Sequence, residues 1–316
     1  MQKSSISDGS GCSVGLLDYG ARICNIDFHG TELALSYASI NDYLHDRFYL
    51  GASIGPICGR TANGQAQFED SSIVLPHNEG DHCLHSGDVG FDKHSWQIES
   101  HSPNQICYRL DFDMSKIGLS GVLFTRAIYR VCEGCLTIKY RYSCTASCFV
   151  NMTNHVYLNL SGVSSTPKTI SDHEFEINAD SYININDHKI PTGETTPIPE
   201  PFIYSINRSP YEEFNGACDH HFNLGDPSSN IVKPMLSATS KTSGIKLNVS
   251  GNSPGYQFYS ANALTSPFAP SSAFCVETQF APNALNHPHF YSPIMHANEQ
   301  REQITLLQFE LSSATN

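Results

Sequence analysis

Short strand-like runs broken by turn residues dominate this chain, and that rhythm constrains its fold more than any other feature. Strands are expected at Ser95–Glu99, Ile106–Phe112, Val122–Val131, Leu136–Cys144, Ile245–Val249, Gln257–Ala261, Phe274–Phe280 and Gln303–Leu311. Between them lie turn signals: Glu133-Gly134, Asn252 to Gly255, and Ser266 to Ser272 with two prolines. Amphipathic helical patterns are few and short, at Ser39–Arg47 with Ser39 or Asn41 as cap, and at Pro210–Phe214. Strands that do not alternate with helices exclude a parallel βαβ architecture. They predict an all-β protein, a large antiparallel β-sandwich with few short helices. No internal repeat and no long linker divides the 316 residues, so one domain spanning 1–316 is expected.

Charge narrows the function classes. Eighteen Lys and Arg stand against thirty-one Asp and Glu, a formal charge of −13, with no basic cluster. That balance excludes an electrostatic binder of nucleic acid or of an anionic membrane. Hydrophobic residues at 40% against 16% charged ones exclude disorder. The first residues lack a basic stretch running into an apolar core, and no run reaches the ~18 apolar residues of a membrane span. Eleven cysteines in so long a chain then read as reduced thiols in the cytoplasm. Cys132-x2-Cys135 and Cys144-x3-Cys148 have spacings open to a four-thiolate zinc site. The reading favoured here makes them small apolar residues, the first pair flanking a tight hairpin, and no metal is expected.

Several strand-like segments carry unusual polar faces. Asn151–Leu160, taken as a strand, puts Asn151, Thr153, His155, Tyr157 and Asn159 on one side. Phe274–Phe280 puts Cys275, Glu277 and Gln279 together, and Asp219–Leu224 groups Asp219, His221 and Asn223. His, Asn, Gln, Tyr and single acids form the inventory that hydrogen-bonds hydroxyl-rich ligands, so a sheet face lining a sugar cleft is expected. Glu277, set among apolar neighbours, needs a partner or a task, because an unpaired buried acid is costly.

The same segments resemble the aldose 1-epimerase (galactose mutarotase) family. LGASIGPICGRTANG (50–64) is similar to the family's LGAxIGRxANRIA. HCLHSG (82–87) with GFDKHSW (90–96) is similar to NxLHGG with GFDKxxW. NMTNHVYLNLSG (151–162) is similar to NLTNHSYFNLAG, and INADSYININDHKIPTGE (177–194) to IxADxYxPVDxxLIPTGE. CDHHFNL (218–224), GYQFYSAN (255–262) and VETQFAPNALNHP (276–288) complete the series, in the family's order and over roughly three quarters of the chain. The resemblance implies the galactose mutarotase-like supersandwich and interconversion of the α and β anomers of a free hexose, with no cofactor. It assigns His155 as the acid at the ring oxygen and Glu277 as the base at the C1 hydroxyl. His85 would bind near the ring oxygen, and Arg60, Asp219 and Gln257 would hold sugar hydroxyls. One imidazole and one carboxylate suffice for that chemistry.

Departures from the pattern fall at Pro56, Gly59, His82, Ser86 and Asn283. Gly59 in place of asparagine predicts an altered sugar preference through a lost amide contact. His82 and His221 are expected to border the cleft at most, and His220 to be an ordinary strand residue. Three other readings remain. A glycoside hydrolase would use Asp219 and Glu277 as paired carboxylates. A non-catalytic sugar-binding or regulatory protein would use the same scaffold. A phosphosugar mutarotase would need cleft cations beyond Arg60. The expected partner is a monosaccharide, and the chain is a monomer or homodimer.

Overall fold

The computed structural model describes residues 1–164, 168–211, 214–225 and 231–311. Two large antiparallel sheets and several small ones account for most of the chain, an all-β sandwich. The larger has nine strands in the order Gln97–Ser102, Gln105–Asp113, Val122–Cys132, Cys135–Cys144, Gln300–Leu311, Ile245–Gly251, Lys233–Ser240, His173–Ile177 and Phe202–Tyr204. The second has five, in the order Pro191–Pro197, Ser181–Ile185, Asp219–Asn223, Gly255–Tyr259 and Cys275–Gln279. A four-stranded sheet is built from Lys3–Ser7, Cys12–Leu17, Arg22–Phe28 and Thr31–Glu32.

Alternation is why these strands form where they do. Val122–Cys132 buries Leu123, Thr125, Ala127, Tyr129 and Val131 while the residues between them meet solvent more often. It turns through Glu133-Gly134, both with positive φ, into Cys135–Cys144. Phe175 and Tyr204 on the nine-stranded sheet pack against Phe258 on the five-stranded one, with ring centroids 4.9 and 5.6 Å apart. Gln303 ties the sheets by donating from Nε2 to the carbonyls of Thr278 and Met152. The five-stranded sheet therefore has one face in the core, and its other face is free to build a site.

Four expectations need adjustment. The strand placed at Ser95–Glu99 starts at Gln97, because Trp96 donates its N–H to the Asp18 carbonyl and Ser95 bridges Tyr19. The strand placed at Gln257–Ala261 runs from Gly255 to Tyr259. Asn151–Leu160 is not a continuous strand: only Thr153–Asn154 is strand, and all ten side chains are buried. Its backbone bonds go to several different loops, His155 N–H to the Ala52 carbonyl, Asn151 N–H to that of Pro56 and Asn159 N–H to that of Leu33. A segment threaded between layers has no solvent face, so period two carries no information there. The Ser39–Arg47 helix is a 3-10 turn over Ile40–His45, capped by Ser39 Oγ accepting from the Asn41 N–H. The helix expected at Pro210–Phe214 includes 212 and 213, which lie outside the described residues.

Candidate functional site

Strand register assembles the floor of a cleft. His221 pairs with Gln257 and Gln257 with Glu277, so the three make one row across three neighbouring strands. Asp219 and Tyr259 form the next row, with Cys275 paired to Tyr259. The opposite face sends His220, Phe222, Tyr256 and Phe258 into the core, where the His220 ring lies 4.8 Å from Phe214.

Loops supply the walls of a cavity of about 260 Å³. Tyr49 and His85 both sit in left-handed backbone, at φ 58° and 54°, which turns them sharply inward. Ser86, buried beside His85, donates its hydroxyl to the Ile57 carbonyl and accepts from the Ile57 N–H, pinning that turn. Gly59 donates its N–H to Nδ1 of His85 at 3.0 Å. Neutral His85 therefore carries its proton on Nε2. At Gly59, φ is +73° and a Cβ would lie 2.7 Å from the Pro282 ring, so the backbone works there and a side chain would have to displace Pro282.

His155 and Glu277 face one another, Nε2 to Oε1, at 3.6 Å, both almost fully buried. Nδ1 of His155 lies 3.5 Å from the Cys275 thiol. The second carboxylate oxygen of Glu277 is buried with no hydrogen-bond partner among the described residues. Burial pushes Glu277 well above the ordinary carboxyl range, with Asp219's charge adding to the rise. Burial takes His155 down to about 4, and holds His85 well below its usual value, assisted by repulsion from His155 and Arg60.

Asp219 behaves oppositely. Burial alone would raise it, but Arg60 at 3.5 Å and Lys189 at 3.1 Å, with the Gln257 amide donating at 2.8 Å, hold it below the usual range. Arg60 also donates two hydrogen bonds to Glu79, at 2.7 and 3.0 Å. Glu79, Arg60, Asp219 and Lys189 thus alternate in charge along one wall.

All six residues singled out in the sequence, Arg60, His85, His155, Asp219, Gln257 and Glu277, line this one cavity. His221 borders it as well. His82 is not among its lining residues; its Nδ1 accepts from the Asn63 N–H instead. Lys189, Tyr49, Tyr259 and Arg47 are additional lining residues that sequence reasoning passed over. For Lys189 a signal existed, since the pattern that 177–194 resembles has leucine before Ile-Pro-Thr-Gly-Glu. Nothing in the sequence pointed to Glu79, which reaches the site only through Arg60.

His85, His155 and Glu277 also bring one donor atom each within 4.8 Å of the others, the grouping of three that would suit a divalent metal ion among the described residues. Binding one there would engage His155 and Glu277 as ligands. The thiols of Cys132, Cys135, Cys144 and Cys148 form no such group, and none of the eleven cysteines is in a disulfide.

The family model described as aldose 1-epimerase matches residues 2–308. The aldose 1-epimerase of Escherichia coli (strain K12) is 31% identical over 331 aligned positions, covering 96% of this chain and 94% of that protein. The galactose mutarotase of Homo sapiens is 30% identical, covering 96% of this chain and 90% of that protein. Among solved structures, an aldose epimerase homologue from C. elegans superposes with a TM-score of 0.90 at 22% identity, covering 99% of both chains. A galactose 1-epimerase from Lactobacillus acidophilus NCFM superposes with a TM-score of 0.83 at 23% identity, covering 98% of this chain and 94% of that one.

Proposed function

The chain belongs to the aldose 1-epimerase family, and from that premise we propose that His155 and Glu277 are the proton carriers that interconvert the α and β anomers of a free hexose. The activity is that of an isomerase acting on a sugar. The observation that carries the residue assignment is the 3.6 Å approach of two buried, oppositely titrating groups, one of them with a partnerless oxygen, on the floor of the cleft.

Ring opening needs a proton on the ring oxygen and the loss of one from the anomeric hydroxyl. Starting from imidazolium and carboxylate, His155 gives a proton and Glu277 takes one, which leaves neutral imidazole and neutral carboxylic acid beside the open-chain aldehyde. Burial that lowers His155 and raises Glu277 favours that neutral pair. The site's low polarity therefore stabilises the protonation state that accompanies the opened sugar; it disfavours the imidazolium–carboxylate pair that starts the step, which a sugar hydroxyl donating to the partnerless Glu277 oxygen offsets. Rotation about C1–C2 presents the other face of the aldehyde, and the two groups reverse roles on closure. The pair carries one proton throughout.

Neutral His85 donates from Nε2 and does not relay protons, so its task is to hold an oxygen near the reacting atoms. Asp219, Arg60 and Gln257 fix the sugar's hydroxyls. Asp219, held ionised by two cations, is an acceptor for a sugar hydroxyl. We read residues 1–316 as one functional unit working in the cytosol, where eleven cysteines outside any disulfide persist.

Polarimetry on freshly dissolved α-D-galactose and α-D-glucose tests the reading. Faster approach to an unchanged final rotation is the expected outcome. A folded sample that accelerates neither sugar would sink the free-hexose assignment.

A further inference from the structure

We infer that Lys189 is a specificity-determining residue of this site, a cationic donor that reads one particular sugar hydroxyl jointly with Asp219. The inference rests on the epimerase reading and deepens it.

Lys189 ends a tight turn. The Asn186 side-chain oxygen accepts from the N–H groups of His188 and Ile190, and Lys189 donates its own N–H to the Asn186 carbonyl. That turn holds Lys189 at φ 57°, a left-handed conformation in which a long side chain is uncommon. A residue kept in such backbone, with its side chain lining the cleft, is more than a solvated surface lysine. Its ammonium sits 6.0 Å from the centre of the Tyr259 ring and 3.1 Å from Asp219 Oδ2.

Donor and acceptor counting then assigns the role. Asp219 uses Oδ1 for the Gln257 amide and Oδ2 for Lys189, with Arg60 Nη1 facing that same oxygen at 3.5 Å. A carboxylate has about four lone-pair positions, so one direction remains for a sugar hydroxyl to donate into. The Lys189 ammonium has three N–H groups, and among the described residues it donates only to Asp219. Its remaining protons need acceptors, and the half-buried lysine cannot turn wholly to water. A single hydroxyl can satisfy both needs, accepting from Lys189 while donating to Asp219. Inverting that carbon would move the oxygen away from one partner and leave the other unpaired, which is how a polar site discriminates between epimers. A leucine at this position would leave the hydroxyl one partner short.

The test is a cycle between residue and hydroxyl. Anomer exchange is followed by NMR magnetisation transfer for galactose and for deoxygalactoses lacking one hydroxyl at a time, with the parent protein and Lys189→Met. Loss of a hydrogen bond to a charged group predicts that Lys189→Met lowers kcat/KM for galactose about 10- to 100-fold, chiefly through KM. One deoxy sugar should be penalised similarly by the parent yet lose almost nothing further in the variant. Lys189→Arg, which keeps the charge and donors, should recover part of the loss. If every deoxy penalty is the same in parent and variant, Lys189 only supports Asp219 and the inference is wrong. Parent protein inactive on all these sugars and on glucose would instead overturn the free-hexose reading on which it stands.

Discussion

Two buried ionic contacts, about as deeply enclosed as each other, show what separates an anchor from a reactive site. Arg22 and Asp46 are fully buried in contact at 2.5 Å. Arg22 also donates to the Leu50 and Asp92 carbonyls, while Asp46 accepts from the N–H groups of Phe48 and Leu50 and from the Tyr37 hydroxyl. Asp46 is thus saturated, and the reward is a fixed 46–50 loop that sets Phe48 and Tyr49 against the cleft. His155 and Glu277 stand farther apart, and Glu277 keeps a buried oxygen without a partner. Incomplete pairing under burial drives His155 and Glu277 toward neutrality. That deficit at Glu277 lies in the cleft, where a substrate can make it up.

Breaking the second pair should therefore cost turnover and spare stability. Glu277→Gln and His155→Asn are each expected to lower kcat by about two to four orders of magnitude, the range for a lost general acid or base. Glu277→Gln should melt at or above the parent temperature, since it removes an acid the fold does not satisfy. Activity within tenfold of the parent in either variant would refute the roles given to them.

Breaking the first pair should do the reverse. Arg22→Met strands Asp46 in the interior and is expected to destabilise the fold by ~3–5 kcal/mol. Turnover per folded molecule should change less than tenfold. A chemical denaturation curve alongside an anomer-exchange rate measures both halves of this contrast. Equal stability in Arg22→Met and the parent would show that the anchor is not one.

The buried histidines also predict a pH signature, which the raised Glu277 opposes because the folded chain keeps there a proton that the unfolded one loses above 4.5. His155 falls from an ordinary 6.5 to about 4 on folding, and His220 to about 4, so the unfolded chain binds protons that the folded one refuses. The stability this contributes is present above pH 6.5 and is lost as pH falls toward 4. The urea midpoint should decline across that interval, and less steeply in His155→Asn. A decline of identical slope in the variant would mean that His155 is not buried neutral.

How much of this was legible beforehand follows from the same physics. Strands with one buried and one wetter face, such as Val122–Cys132, announce themselves by alternation, and of the polar groups expected at a cleft Asp219, His221, Glu277 and Gln279 line it while Asn223 and Cys275 do not. Asn151–Leu160 brought His155 and Tyr157 of its expected face to the cleft but is not the continuous strand expected, because a segment buried at every position has no reason to alternate. His155 was recognisable only from its motif; burial and the approach to Glu277 depend on chain more than 100 residues away. Lys189 shows in the sequence only as a lysine where the resembled pattern has leucine, and Glu79 enters through a salt bridge to Arg60 that no local pattern encodes.

The smallest expected effect concerns how His155 is held. In the neutral form its Nδ1 can accept from the Cys275 thiol, which burial keeps protonated by raising it well above its usual value. In the empty site that contact favours the tautomer with its proton on Nε2, the nitrogen facing Glu277; once Nε2 has given a proton to the sugar, the ring keeps its proton on Nδ1 and the thiol sulfur accepts from it. A thiol is a weak donor, so removing it should cost less than an ordinary hydrogen bond of ~1 kcal/mol. Cys275→Ala is expected to lower kcat by about two- to fivefold with KM unchanged. Cys275→Ser, a stronger donor of similar shape, should restore the rate. The acid limb of the kcat profile is the more discriminating readout. A donor at Nδ1 opposes protonation of the ring, so its loss should move that limb to higher pH, and the serine variant should move it back. An alanine variant that loses activity without moving the limb would place the effect in packing around Tyr157 and Tyr259, and would leave His155 oriented by its buried cage alone.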